Sequence, residues 1–139
     1  MQAVTRNLFG FIRASRVPNL IIIALTQCFT AYFLLGMAIN VMVSLEFVAL
    51  ILSTQMIAAA GYIINDYYDQ KIDMVNRPQR VVVGVTFKRR LALISHSLLN
   101  FGAIGLMLFI DPLISLIQFW FCLFALDLFE PTQKVAIGR

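Results

Sequence analysis

Three long stretches of this sequence contain no aspartate, glutamate, lysine or arginine: residues 17–45, 47–65 and 91–110. Each can cross the hydrocarbon core of a membrane, because an α-helix needs about 20 apolar residues for that distance. Lipid offers the backbone no hydrogen bonds, so uncharged segments of this kind cross it as helices. With 60% hydrophobic and 13% charged residues, the chain also lies outside the usual range of soluble domains. The sequence therefore predicts an all-α fold, a polytopic membrane helical bundle.

The number of membrane spans depends on the last third of the chain. The final uncharged stretch, residues 112–126, is shorter, and it reaches full length only if Asp127 lies near an interface. The one long hydrophilic segment, residues 66–90, separates the second span from the third and is predicted to be a loop. The chain is thus predicted to cross the membrane four times, at residues 18–39, 45–65, 91–110 and 112–129.

The positions of the basic residues predict which side of the membrane each segment faces. All eleven lysines and arginines lie before the first span, between the second and third, or after the fourth. The turns near residues 40–46 and at Asp111 carry none. Since basic loops favour the cytoplasmic side, we expect a multi-pass protein of the cell membrane with both termini and the loop at residues 66–90 in the cytoplasm.

The net charge of +4 does not indicate binding to nucleic acid. The basic residues flank membrane spans and do not form the aromatic-interleaved soluble surface that nucleic-acid-binding domains carry. We therefore predict the lipid bilayer as a partner and no nucleic acid. Anionic lipid headgroups and a phosphorylated substrate are the expected counter-charges.

Acidic residues are concentrated at the end of the second span, in the sequence GYIINDYYDQKID at residues 61–73. Asp66, Asp69 and Asp73 stand at positions i, i+3 and i+7, which an α-helix brings to one face. Like charges placed in this way repel one another unless a cation is bound. Carboxylate ligands with open coordination positions favour Mg²⁺, and Asn65 adds an uncharged polar group beside them. The pattern predicts a magnesium site, although any single aspartate could simply face water.

Basic residues follow the acidic cluster directly, at Lys71, Arg77 and Arg80. Arginine binds phosphate oxygens with paired donors, and lysine adds a point charge. A magnesium site next to such residues predicts a diphosphate ligand.

Three motifs in this chain resemble those of the UbiA-type intramembrane prenyltransferases. NDYYDQKID is similar to the first aspartate-rich motif of the family, N-D-x-x-D-x-x-x-D. NRPQR with the following Gly84 resembles the loop after that motif, and RVPNL at residues 16–20 resembles the entry to the first span. The amino-acid sequence at residues 19–27, 58–66 and 80–84 is most similar to the bacterial branch described as geranylgeranylglycerol-phosphate geranylgeranyltransferase-like.

This resemblance implies an enzyme that transfers a polyprenyl chain from an allylic diphosphate donor to a lipophilic acceptor, with a glycerol-phosphate lipid as one possibility. The three aspartates would hold Mg²⁺ against the diphosphate as the catalytic group, and Asn65 would support them. The basic residues of the loop would contact the oxygens of the leaving group. Arg16 and Asn19 would line the substrate pocket at the same end of the bundle.

The resemblance covers only the first half of a typical family member, which has about nine spans and a second aspartate-rich motif. The chain, residues 1–139, therefore reads as the N-terminal part of such a domain, and we expect a C-terminal half or a companion chain to complete it. The alternative from the sequence is a truncated, non-catalytic membrane subunit or an ion-binding membrane protein.

Overall fold

The structure is a computed structural model that describes residues 2–123. Within this range the regular elements are helical, and Val83 and Phe87 form an isolated β-bridge. The helices in chain order are α1 (Gln2–Ala14), α2 (Val17–Phe29) with a π-helical continuation (Thr30–Leu34), α3 (Ile39–Met42), α4 (Leu45–Asn76), a 3₁₀ turn (Pro78–Arg80), α5 (Arg89–Ile110) and α6 (Pro112–Leu123).

Among the described helices, three are long and apolar enough to cross a membrane: Val17–Leu34, α4 and α5. This confirms the predicted all-α membrane helical bundle. Helix α6 is apolar but shorter, and the rest of the fourth predicted span, up to residue 129, lies outside the described residues. The number of spans and the side on which the termini lie therefore stay predictions.

Helix α4 is much longer than a membrane span. Its 32 residues extend about 48 Å at 1.5 Å per residue, whereas a hydrocarbon core is about 30 Å thick. The Ser44 side chain caps the first turn by accepting a hydrogen bond from the Phe47 N–H at 3.3 Å. At the other end Pro78 disfavours a helical conformation in the residue before it, and Arg77 leaves the helical region with φ −146° and ψ 62°. The segment predicted as a loop at residues 66–90 thus begins as helix and leaves helical geometry after residue 76.

A sharp turn joins α1 to α2. Arg16 has a φ of 51°, which is a left-handed conformation. This conformation costs a residue with a Cβ about 1–3 kcal/mol, and it persists only where the surrounding structure holds it. Pro18 follows in the first turn of α2, where its missing N–H leaves no helical hydrogen bond unmade. The turn points the Arg16 side chain toward α4, where it contacts Asp66.

Helices α5 and α6 form a tight hairpin. The Asp111 carboxylate accepts hydrogen bonds from the backbone N–H groups of Leu113 at 2.9 Å and Ile114 at 3.3 Å, as an N-cap residue does. One turn later the Ser115 hydroxyl donates to the Ile104 carbonyl at 3.0 Å. These contacts hold the start of α6 against the end of α5.

Polar side chains join the helices within the apolar part of the bundle. The Gln27 amide donates to the Thr54 hydroxyl at 3.1 Å, which connects α2 to α4. The Gln118 amide donates to the Ser53 hydroxyl at 3.0 Å, which connects α6 to α4. Such interhelical hydrogen bonds are each worth about 0.6 kcal/mol in membrane proteins. Helix α4 is the common partner in both pairs.

The connection between α4 and α5 packs inward, against α1. The rings of Phe11 and Phe87 meet edge to face with centroids 6.0 Å apart. A Cβ added to Gly10 would lie only 2.8 Å from the Phe87 Cβ, so glycine is needed for this close approach. The buried cluster that results consists of Ala14, Ile63, Val82, Val83, Phe87 and Ala92.

Gly84 allows the same connection to turn back over α4. Its φ is +89°, and a Cβ at this position would overlap the Gln70 side chain. Both the backbone conformation and the available space therefore require glycine.

We predict that Gly84→Ala lowers the free energy of unfolding by about 1–3 kcal/mol, because alanine is strained at positive φ and meets Gln70. Stability would be measured by far-ultraviolet circular dichroism during thermal unfolding in detergent micelles. Gly105→Ala is the matched control, since nothing lies within 4 Å of a Cβ added there, and helical alanine is favoured over glycine. Equal losses in the two variants would contradict the role given to Gly84.

Candidate functional site

A cavity of about 430 Å³ lies where α1, α4 and the α4–α5 connection meet. It contains carboxylates and guanidinium groups together, an arrangement that suits a ligand carrying both a metal ion and negative oxygens. Its lining residues are Arg13, Arg16, Asp66, Gln70, Asp73, Arg77, Arg80, Val81 and Val82.

Helix α4 supplies one wall of the cavity through Asp66, Gln70 and Asp73. These residues stand at i, i+4 and i+7 of an uninterrupted helix, so their side chains follow one face. By residue 66 the helix has already risen about 30 Å from Leu45, the thickness of a hydrocarbon core. The carboxylates therefore lie at the edge of the apolar region or beyond it, where they can meet a phosphorylated headgroup.

The Arg16 guanidinium forms an ion pair with the Asp66 carboxylate, with Nη2 and Oδ1 2.8 Å apart. The same guanidinium lies over the Tyr62 ring, 5.3 Å from its centroid. The Asp66 side chain is 18% exposed and that of Arg16 is 45% exposed. Arg16 thus provides the positive charge that a half-buried carboxylate needs when no metal is bound.

Asp69 has a different environment from Asp66 and Asp73. Its carboxylate accepts a hydrogen bond from the Asn65 amide at 3.0 Å, and it is not part of the cavity lining. A helix places Asp69 about 60° behind Asp66 around the axis, on the side away from Gln70. Burial raises the pKa of Asp66, the Arg16 guanidinium opposes this rise, and repulsion from Asp73 and Asp69 adds to it.

The predicted site residues divide into two groups. Asp66, Asp73, Arg77 and Arg80, which lie within 15 residues of one another, and the distant Arg16 come together around the cavity. The other four predicted residues do not line it. They are Asn65 and Asp69, which are partly buried and bonded to each other, and Lys71 and Asn19, which are exposed.

Four lining residues were not predicted as site residues: Arg13, Gln70, Val81 and Val82. The helical spacing contained a signal for Gln70, which lies between Asp66 and Asp73 on the same face. Arg13 precedes the first span and reads from the sequence as an interfacial residue. Arg13 reaches the cavity because α1 folds back onto α4. Its guanidinium donates a hydrogen bond to the carbonyl of Gln79, in the 3₁₀ turn, at 3.5 Å.

The donor set of the cavity fits Mg²⁺. This ion is commonly held by one or two carboxylates together with phosphate oxygens of the substrate, and Asp66 and Asp73 supply carboxylates facing one space. Within residues 2–123, no group of three Asp, Glu, His or Cys side chains is arranged to hold a metal. The geometry therefore suits a metal that arrives with an anionic ligand better than one that resides in a closed cage.

Comparison with known proteins agrees with the motifs. The family model described as "UbiA prenyltransferase family" matches residues 17–129. Proteins named digeranylgeranylglyceryl phosphate synthase are similar to parts of the chain. The protein from Hyperthermus butylicus is 37% identical over 74 residues, and the match covers 53% of this chain and 24% of the relative. That of Sulfolobus acidocaldarius is 34% identical over 82 residues, 56% of this chain and 27% of the relative.

The matched part of the chain spans only about a quarter of the length of these relatives. A third protein of the same name, from Ignicoccus hospitalis, is 49% identical over 45 residues, 30% of this chain and 15% of the relative. These three relatives are archaeal, whereas the sequence resemblance predicted a bacterial branch of the family. No solved structure gives a significant match. Because the family model covers most of the sequence, including the aspartate-rich end of α4, the chain belongs to the UbiA prenyltransferase family.

Proposed function

We propose that this chain acts in an integral membrane prenyltransferase, which moves a polyprenyl chain from an allylic diphosphate to a lipophilic acceptor with the help of Mg²⁺. The observation that carries the proposal is the shared cavity, in which Asp66 and Asp73 face arginines from two separate segments, residues 13–16 and 77–80. An uncharged or singly charged lipid would not need this combination. A metal-bound diphosphate needs both parts of it.

The acceptor in this proposal is a glycerol-phosphate lipid. Support comes from the relatives, because the name digeranylgeranylglyceryl phosphate synthase combines geranylgeranyl groups with a glyceryl phosphate. The class of acceptor is therefore carried over from similar proteins. A glycerol-phosphate lipid serves as the acceptor in the transfer assay.

Asp66 and Asp73 would hold Mg²⁺ from the α4 side, and Asp69, which does not line the cavity, would add a third carboxylate only after its side chain turned toward the metal. When bound, the ion would neutralise the charge that develops on the diphosphate as it leaves. Asn65 would keep Asp69 in place through the hydrogen bond between the two side chains. Carboxylates at the i and i+7 positions of one rigid helix keep their spacing, which favours a prepared site.

The arginines would bind the diphosphate oxygens that the metal does not reach. In the transfer, the bond between the allylic carbon and a diphosphate oxygen breaks, and a bond from that carbon to an acceptor hydroxyl oxygen forms as the hydroxyl loses its proton. Negative charge grows on the diphosphate during this step, so fixed guanidinium groups stabilise the transition state more than the bound substrate. The apolar prenyl chain would remain among the helices, where little water can react with the allylic carbon.

The same proposal places the site at the cytoplasmic side of the cell membrane. It rests on the positive-inside rule, because the basic residues of the loop after α4 surround the cavity. The donor headgroup would then be reached from the aqueous side and its tail from the bilayer.

We predict that Asp66→Asn and Asp73→Asn each lower the affinity for a labelled geranylgeranyl diphosphate at least about tenfold in the presence of Mg²⁺, equal to about 1.4 kcal/mol. The 139-residue chain would be reconstituted in nanodiscs, and binding measured with Mg²⁺ and with a chelator. Asp111→Asn is the matched control, because asparagine also caps a helix and Asp111 lies at the far end of α5.

The same variants would then be assayed for prenyl transfer to a glycerol-phosphate lipid. One arm would use the chain alone, and a second would co-express the remaining length of a relative. Diphosphate binding that is independent of Mg²⁺ and unchanged by the aspartate substitutions would refute the proposed site. Binding of Mg²⁺ without any affinity for a diphosphate would favour an ion-binding membrane protein instead.

Arg16 allows a second prediction with effects of opposite sign. Arg16→Gln should weaken the binding of the diphosphate with Mg²⁺, because one phosphate-binding cation is lost. It should strengthen the binding of Mg²⁺ alone by up to about fivefold, because the metal no longer competes with an ion pair worth about 0.2–1 kcal/mol. Titration with Mn²⁺ followed by electron paramagnetic resonance would measure the metal affinity.

Arg13→Gln is the comparison for this test, since Arg13 lines the cavity but forms no ion pair with Asp66 among the described residues. Its effect on the affinity for the metal alone should be smaller than that of Arg16→Gln. A lower metal affinity in Arg16→Gln would contradict the competition between Arg16 and the metal.

A further inference from the structure

A second cavity, of about 450 Å³, lies beside the first at the end of α4. The two cavities share Arg77 and Arg80, so these arginines stand at the boundary between them. The remaining lining of the second cavity comes from Asn76, Pro78 and Gln79. All five residues are exposed, which makes this cavity the more accessible of the two from the aqueous phase.

Local backbone geometry explains why both arginines reach the same place. Residues 78–80 form a 3₁₀ turn, and Arg77 is the residue directly before its first position. The Arg80 N–H donates to the Arg77 carbonyl at 2.9 Å and closes this turn. Pro78 holds the first position of the turn rigidly. Arg77 and Arg80 are therefore paired by the fold before any ligand binds.

The two cavities differ in their acidic residues. The first contains Asp66 and Asp73, whereas the second contains no carboxylate in its lining. In the part of the chain that the structure describes, neither the Arg77 nor the Arg80 side chain forms an ion pair. The second cavity therefore offers two guanidinium groups and two neutral amide side chains to an anion, and no ligand set for a metal.

A phosphomonoester matches this set of groups. It carries close to two negative charges and three acceptor oxygens at neutral pH, and two arginines can bind such oxygens with paired donors. A phosphodiester has one charge and two free oxygens, so it matches less well. Asn76 and Gln79 can donate to the oxygen that the arginines leave free.

We propose that the second cavity binds a phosphomonoester group without a metal ion, next to the metal-dependent diphosphate site. Resting on the proposed function, this group is the phosphate of the lipid acceptor. Arg77 and Arg80 would lie between the two anions and offset their repulsion. The two headgroups would then be held in adjoining cavities. This placement would bring the acceptor hydroxyl toward the allylic carbon and favour the reaction through proximity.

The test measures phosphate binding with no divalent metal present. The 139-residue chain in nanodiscs of a zwitterionic lipid would be titrated with glycerol 1-phosphate in EDTA, and a second set of nanodiscs would contain phosphatidic acid or phosphatidylglycerol. Phosphatidic acid presents a phosphomonoester from the membrane, and phosphatidylglycerol presents a phosphodiester. The soluble and lipid arms thereby distinguish a free phosphate from a lipid headgroup.

Two variants add a carboxylate to the second cavity only, Asn76→Asp and Gln79→Glu. Each should lower the affinity for the phosphomonoester about tenfold, because a negative charge replaces a neutral donor. Asn40→Asp makes the same change of net charge at an exposed position of α3 and should change the affinity less than twofold. The Mg²⁺-dependent affinity for geranylgeranyl diphosphate, measured in the same variants, reports separately on the first cavity.

Tighter binding of the monoester than of the diester, lost in Asn76→Asp and Gln79→Glu, would support the site whether the soluble or the lipid-borne form binds more tightly. Equal affinity for monoester and diester, or equal effects of all three variants, would overturn it. Failure of diphosphate binding would refute the proposed function without touching this result, since the phosphate titration contains no metal and no diphosphate.

Discussion

Helix α4 is longer than the bilayer is thick, and the rest of the structure depends on that excess length. From Leu45 it crosses the apolar region and continues through Asn76 without a break. Because the helix does not end at the membrane surface, its last three turns project the acidic residues into a polar setting on a rigid support. Helices α1, α2 and α5 and the 3₁₀ turn all contact α4, so the positions of their side chains are set relative to this one element.

Charge compensation at the end of α4 explains how the site can exist before a ligand binds. A row of aspartates on one helix face is unfavourable by itself, and Asp66 is half-buried besides. Arg16 offsets this through an ion pair at 2.8 Å, and the same residue has the left-handed φ of 51° in the turn between α1 and α2. The strain at Arg16 and the half-buried charge at Asp66 thus occur together, as is common where binding geometry takes precedence over local stability.

The connection between α4 and α5 shows how a short polar segment is kept against the bundle. Val82, Val83 and Phe87 are buried with residues of α1, α4 and α5, while the arginines just before them remain exposed. Two glycines allow this packing, Gly10 under Phe87 and Gly84 over Gln70. The apolar part of the connection supplies the packing free energy, and the polar part is left free to bind anions.

The sequence by itself determined the fold class, the apolar helices, and the placement of Asp66 and Asp73 on one helix face. Each of these follows from local chemistry: uncharged length defines a span, and the helical period defines a face. Only the tertiary structure decided that Arg13 and Arg16 join them, and that Arg77 and Arg80 serve two cavities. The reason is that these relations depend on how α1 folds back onto α4 and where a single 3₁₀ turn points, and no periodicity within one segment encodes a contact between segments.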